Sequence, residues 1–352
     1  MALHVPFAVN NYWAFQITRN MALQLVVFLG IVGFLRTFQK LERVLTVWII
    51  VAILCGIRGY FEGGRIPDSG FLGDENDFSL FLNMMIPLAF FTAATARSWR
   101  ARAVRYSGVV VFILGTVSSM SRGGFVGMIP PLAYCWWKTK RKFWTAAAAA
   151  LVGVFLVIVV IPSEYWTEMK TIRQEGTRVG TGQQRAYLWT HGYRMFLDHP
   201  LIGVGPGNFN WNLRFYEPPD GLAGRSQAGR PAHSIYFTLL PELGVIGFFL
   251  FLRLIWVNQK EFRSLRKTTK HFSNYPGRQE GGRFEQVRKM EAFGYGLTGA
   301  IIAYLVSGAF LSTLYYGHFW LIVALSTANN RLLKDYCRTN AEGTSAFGSG
   351  RL

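Results

Sequence analysis

Residues Phe78 to Arg105 read FSLFLNMMIPLAFFTAATARSWRARAVR: a largely apolar run to Ala96, followed at once by Arg97, Arg100, Arg102 and Arg105. A helix needs about 20 apolar residues to cross the hydrocarbon core of a bilayer. A basic cluster at its end marks the cytoplasmic side. This stretch therefore predicts a membrane-spanning helix and its direction together.

Working outward, comparable blocks cover roughly 21–37, 44–60, 104–120, 123–137, 143–162, 234–257, 293–312 and 314–330. With 78–96 they predict an all-α polytopic membrane protein of about nine transmembrane helices. The expected organisation is an N-terminal bundle of about six helices over 1–162, one large periplasmic segment with short helices over 163–231, about three helices over 232–335, and a disordered cytoplasmic tail over 336–352. The composition agrees, with 51% hydrophobic residues and 16% charged. The net charge of +18 is not massed on one soluble face but punctuates the apolar blocks, as in Lys138, Lys140, Arg141 and Lys142. The implied partner is the lipid bilayer, not nucleic acid. Cys55 and Cys135 fall in predicted spans and Cys337 in the tail, so no disulfide is expected. The first residues lack a basic start with a small-residue cleavage site, and no signal peptide is expected.

Ionisable residues near the predicted external ends are the candidates for chemistry. Arg122 stands alone among apolar residues in Ser121-Arg122-Gly123-Gly124, between two spans. A cation at membrane depth is costly and marks function by default; the plain alternative is an arginine snorkelling to lipid phosphates. Thr181-Gly182-Gln183-Gln184 has the form of a capping box, predicting a helix that runs to about Leu197, stops before His199-Pro200, and carries Arg185 in its first turn. That position favours an anion, so Arg185 calls for an anionic partner unless it is a solvated surface charge. Arg178 and Arg194 are weaker, supporting candidates.

His233 opens an apolar helix after Gly229-Arg230-Pro231-Ala232. A helix N-terminus and nearby arginines disfavour imidazolium and leave a neutral ring able to accept a proton; the alternative is a polar anchor at the interface. Pro241-Glu242 breaks this helix two turns in, leaving a kink and an ionisable group at depth. Glu242 would orient His233 or Arg122, or pair with Arg253. Asp74-Glu75-Asn76-Asp77 reads either as an acceptor-sugar or cation site or as a solvated acidic loop. The six histidines show no metal-ligand spacing, so no metal and no cofactor is expected.

Arg185-x3-Trp189, the run His199-Pro200-Leu201-Ile202-Gly203-Val204-Gly205-Pro206-Gly207-Asn208-Phe209, and His233-Ser234 followed after nine residues by Gly244-x-x-Gly247 together resemble the signature domain of O-antigen ligases and polymerases. Ser121-Arg122-Gly123 is similar to the upstream arginine motif of that superfamily. A fainter likeness, carried by Gly73-Asp74-Glu75-Asn76-Asp77-Phe78 and Asn83-Met84-Met85-Ile86-Pro87, is to exosortase-associated O-glycosylation ligases. The spans are fewer than such proteins commonly carry, as if N-terminal helices were absent.

The resemblance implies a metal-independent, inverting glycosyltransferase of the bacterial inner (plasma) membrane, with its active site facing the periplasm. Its donor would be an undecaprenyl-diphosphate-linked glycan. His233 would be the catalytic base, and Arg122 and Arg185 would bind the pyrophosphate. Three acceptors stay open: a glycolipid, as in an O-antigen ligase; another glycan, as in an O-antigen or exopolysaccharide polymerase; or a protein, as in an O-oligosaccharyltransferase. A lipid-linked-sugar transporter is the alternative of another class. It would need polar residues along a membrane-crossing path, whereas the ionisable candidates gather at the external face.

Overall fold

A computed structural model describes residues 1–155, 180–273 and 282–348 of the chain. Ten main helices account for most of these residues: α1 (Asn11–Phe34), α2 (Phe38–Phe61), α3 (Glu75–Ala94), α4 (Trp99–Ser118), α5 (Arg122–Lys138), α6 (Lys142–Phe155), α7 (Gly180–Asp198), α8 (Tyr236–Ser273), α9 (Gly282–Ser307) and α10 (Gly317–Gly348). Among the described residues there is no β-strand. The starts of α1 to α5 follow local rules. Asn10, Thr37, Asp74, Ser98 and Ser121 each cap a helix by accepting a first-turn backbone N–H, which satisfies donors that no carbonyl can reach.

Each of the nine expected spans meets a helix, but among the described residues only α1 to α4, α8 and α9 are long and apolar enough to cross a membrane by length and composition. The shortfall has physical reasons. α5 has 17 residues, with Pro130 and Pro131 inside it. The span expected over 143–162 continues beyond Phe155, outside the described residues, as do 163–179 of the expected external segment. α10 is long but carries Ser326, Thr327, Asn329 and Asn330 in its first half, and it runs on past Asp335, where the last helix was expected to have ended.

α3 lies at the centre, packed against α4, α5 and α9. Phe78 to Ala89 is buried without interruption, as expected for a helix that is apolar on every side. Between apolar helices in lipid, polar side chains and small residues set the packing. Asn83, fully buried, donates to the Gly124 carbonyl (2.9 Å) and accepts from the Thr116 hydroxyl (3.2 Å), tying α3 to α4 and α5. α9 continues into the loop 308–316, whose Leu311 and Leu314 are buried in the same core.

The bundle has two chemically distinct ends. At one, Asn76 of α3, Ser121 before α5, His233 before α8, and Ser312 and Tyr316 before α10 are joined by hydrogen bonds. At the other lie the basic ends of α5 and α8, and Lys289 of α9, paired with Glu42 of α2 at 3.0 Å.

Candidate active site

The site is built around an interruption in α8. Three residues after Pro241, at Gly244, the backbone leaves helical geometry (φ 63°, ψ −169°), a left-handed conformation that glycine adopts without steric cost. The groups this leaves unpaired are taken up by the segment 200–207. Val204 and Gly205 N–H donate to the carbonyls of Pro241 and Glu242, and Val245 and Ile246 N–H donate to those of Pro200 and Leu201. Such exchange is what permits broken helix inside an apolar bundle. The approach is close enough to require glycine: a Cβ on Gly244 would sit 2.4 Å from the Leu201 carbonyl carbon, and one on Gly203 2.4 Å from that of Glu242.

Glu242 completes this joint. It is 2% exposed, and its carboxylate accepts from the N–H of Gly207 (2.7 Å) and Phe209 (3.0 Å) and from the Tyr315 hydroxyl (2.5 Å). Its partners are therefore the glycine-rich turn and the loop before α10, not His233, Arg122 or Arg253. Glu242→Gln puts an NH2 group among these donors. The expected loss is about 2 to 3 kcal/mol, seen as a lowered thermal midpoint, while the protein that remains folded keeps its turnover.

Three residues before α8, His233 adopts a left-handed backbone (φ 49°), uncommon for a residue with a Cβ and held only where the surroundings fix it. Its N–H donates to the Ser312 hydroxyl (2.8 Å). On one side the Trp189 indole N–H of α7 donates to the Ala232 carbonyl (2.8 Å), and the Trp189 ring stacks on Phe237 at 4.9 Å. On the other, the Ile235 N–H donates to the Gly308 carbonyl (2.8 Å). Three elements thus hold the histidine ahead of the helix rather than in its first turn. Burial and, after it, the Arg185 charge hold the His233 imidazole below the usual histidine range, with Arg230 adding to the effect and Asp74 opposing it. The ring is neutral at neutral pH and can accept a proton.

Arg185 is half-buried on α7. The helix starts at Gly180, ahead of the expected capping box, so Arg185 lies in the second turn. Burial, and then the charge of Arg122, both work against its guanidinium. Two cations brought together in a partly desolvated place favour an anion between them. Arg122 opens α5 behind the cap Ser121, whose hydroxyl donates to the Asn76 side-chain oxygen (2.7 Å). The 74–77 turn therefore touches the base of the arginine helix and, through the Tyr316 hydroxyl on Asp77 (3.0 Å), the loop that holds His233.

Of the other sequence candidates, Arg194 is exposed on α7 and not among these contacts, and Arg178 lies outside the described residues. Asp74 and Arg230 join the site by their charges. With its amide oxygen turned toward Arg230, Gln184 accepts from that guanidinium at 2.6 and 3.2 Å. The 308–316 loop was not foreseen, although Ser312, Tyr315 and Tyr316 each hold one element of the site. Tyrosines beside an apolar block were the one available hint. Beyond the helix break, an apolar groove of about 1270 Å³ runs past His4, Phe7, Leu201, Leu243, Ile246 and Leu250.

Residues 107–252 match the sequence model of the O-Antigen ligase family. The chain is also 21% identical, over 93% of its length and 69% of the relative's, to the teichuronic acid biosynthesis protein TuaE of Bacillus subtilis (strain 168). Both findings fit a membrane protein with apolar helices and a polar site at one end. The stretch similar to the O-antigen ligase family, residues 107–252, contains Arg122, Arg185 and His233.

Proposed function

We propose that the chain is a glycosyltransferase that moves a glycan from undecaprenyl diphosphate to an acceptor hydroxyl on the periplasmic side of the bacterial inner membrane. One observation carries this reading: a neutral, half-buried histidine lies within electrostatic reach of Arg185, which is itself within reach of Arg122. His233 takes the proton from the acceptor hydroxyl as its oxygen attacks the anomeric carbon. The bond from that carbon to the pyrophosphate oxygen breaks, with inversion, and the two arginines take up the charge on the departing lipid diphosphate. Because the diphosphate is already an activated leaving group, the step needs no metal. The apolar groove beside the helix break has the size and lining to take a polyprenyl chain. The external assignment of this end rests on the basic loops at the other.

The acceptor is a glycolipid, by the ligase reading of the family. Deleting the gene and profiling lipopolysaccharide, secreted polysaccharide and periplasmic glycoproteins tests this. Loss of sugar from the glycolipid pool is expected. Loss from secreted polysaccharide or from proteins instead would make the chain a polymerase or a protein O-oligosaccharyltransferase. Unchanged glycans in all three pools would overturn the transferase reading.

A further inference from the structure

The opposite end of the bundle carries a second cluster that the transfer reaction does not use. Lys138, the last residue of α5, places its ammonium 5.6 Å from the centre of the Tyr295 ring and 4.0 Å from that of Trp137. Arg266 of α8 lies 4.8 Å from the same Tyr295 ring. Arg263, one turn back along α8, is exposed, and Lys270, one turn on, extends the row. Two helices, α5 and α8, thus bring basic side chains around one tyrosine of a third, α9. The charges of Arg266, Arg263 and Lys270 all bear on Lys138. Among the described residues Glu291, whose carboxylate accepts from the Thr269 hydroxyl at 2.5 Å, brings one negative charge against these positive ones.

Two features point to a missing anion. Lys138, Arg263 and Arg266 outnumber the single charge of Glu291, and like charges gathered this closely repel one another unless a further anion lies among them. In addition, the Arg266 Nε–H is buried with no hydrogen-bond partner among the described residues, a state native proteins rarely leave uncompensated. The surroundings say where the anion comes from. Tyr134, Trp137 and Tyr295 form an aromatic belt of the kind found at headgroup depth, and Trp136, Trp137 and Ile129 are exposed along α5, where acyl chains would lie.

We propose that Lys138, Arg263 and Arg266, around Tyr295, form a binding site for the phosphodiester of an anionic phospholipid in the leaflet opposite the catalytic end. The outer nitrogens of the Arg266 guanidinium donate to a phosphate oxygen, Lys138 and Arg263 neutralise the charge, and the acyl chains run along α5. Basic pockets between helix ends bind acidic headgroups in this way. The site would tie together the ends of α5 and α8, both of which pack on α9, and it does not depend on the transfer reaction.

Native mass spectrometry of the purified full chain, titrated with phosphatidylglycerol, tests the proposal. The double variant Arg263→Gln/Arg266→Gln should bind the lipid about 30-fold more weakly, the effect of removing two charges near a headgroup. Arg97→Gln/Arg100→Gln removes the same charge from exposed positions of another loop and should bind as the wild type does. If the first double variant does not fold, Lys138→Gln and Arg263→Gln alone should each cost about fivefold. Equal losses in the two double variants would reduce the cluster to diffuse surface charge. Equal binding of phosphatidylcholine, or displacement of the lipid by inorganic phosphate at matching concentration, would also overturn it.

Discussion

Replacing His233 with alanine is expected to slow glycan transfer by about 100- to 10,000-fold, the usual contribution of a general base. His233→Gln should fare no better, since an amide can hydrogen-bond to the acceptor but cannot carry its proton away. Donor binding should survive in both variants, because the arginines and the apolar groove are untouched. Wild-type activity should hold through neutral pH and fall only on the acid side. Burial and Arg185 lower the affinity of His233 for a proton, so the ring is protonated, and lost as a base, at a lower pH than an ordinary histidine. That acid limb should vanish from the residual rate of the variants. His199→Ala is the control: this histidine is exposed at the end of α7 and meets Gly203 through its backbone carbonyl alone, so turnover should change little. Near-wild-type transfer by purified His233→Gln would sink the base role. The hydroxyl would then have to be activated by the departing diphosphate or by Asp74, because Glu242 is already committed to the glycine-rich turn.

Much of this architecture could be read from the chain, for reasons that particular residues make plain. The span beginning at Phe78 and the arginines after Ala96 were legible because hydropathy and charge are local properties. So was the stop of α7 before His199-Pro200, where proline ends a helix. The 308–316 loop was not legible. Leu311 and Leu314 are as apolar as any helical residue and are buried in the core, so the expected spans 293–312 and 314–330 left only residue 313 between them. Periodicity does not separate buried loop from buried helix. The loop's polar groups are met by distant partners instead: the Gly308 carbonyl by Ile235 N–H, the Thr313 carbonyl by the Tyr304 hydroxyl, and the Tyr315 carbonyl by Gln24. Glu242 was misread for a related reason. The kink was foreseen from Pro241, but the segment that fills it comes from residues 200–209, and no local pattern reports which distant turn will dock into a broken helix. Arg122 stood out as an ionisable group alone among apolar neighbours, Arg185 as a cation near a helix start, and His233 by its place ahead of an apolar helix and by the motif it opens.

The second large effect concerns those arginines, and here stability and activity should move apart. If Arg122 and Arg185 hold a diphosphate, either Arg→Ala change should lower transfer by about 100-fold, as does removing one donor from a site that stabilises developing negative charge. Lysine keeps the charge but loses the planar fork that engages two phosphate oxygens, so Arg122→Lys and Arg185→Lys should recover only part of the rate. Arg185 gives the sharper test, because its charge is opposed by burial and by Arg122. An arginine kept for packing would lower the thermal midpoint when replaced. One kept for a ligand carries a cost in the empty protein, which the ligand offsets. Arg185→Gln should therefore leave the midpoint of the ligand-free protein unchanged or higher, while the protection that undecaprenyl diphosphate gives the wild type disappears. Thermal unfolding in detergent, with and without that lipid, measures both quantities in one experiment. A lowered midpoint with protection intact would make Arg185 a structural residue, and the diphosphate would then have to be held by Arg122 with another cation, such as Arg230, whose charge also acts on His233.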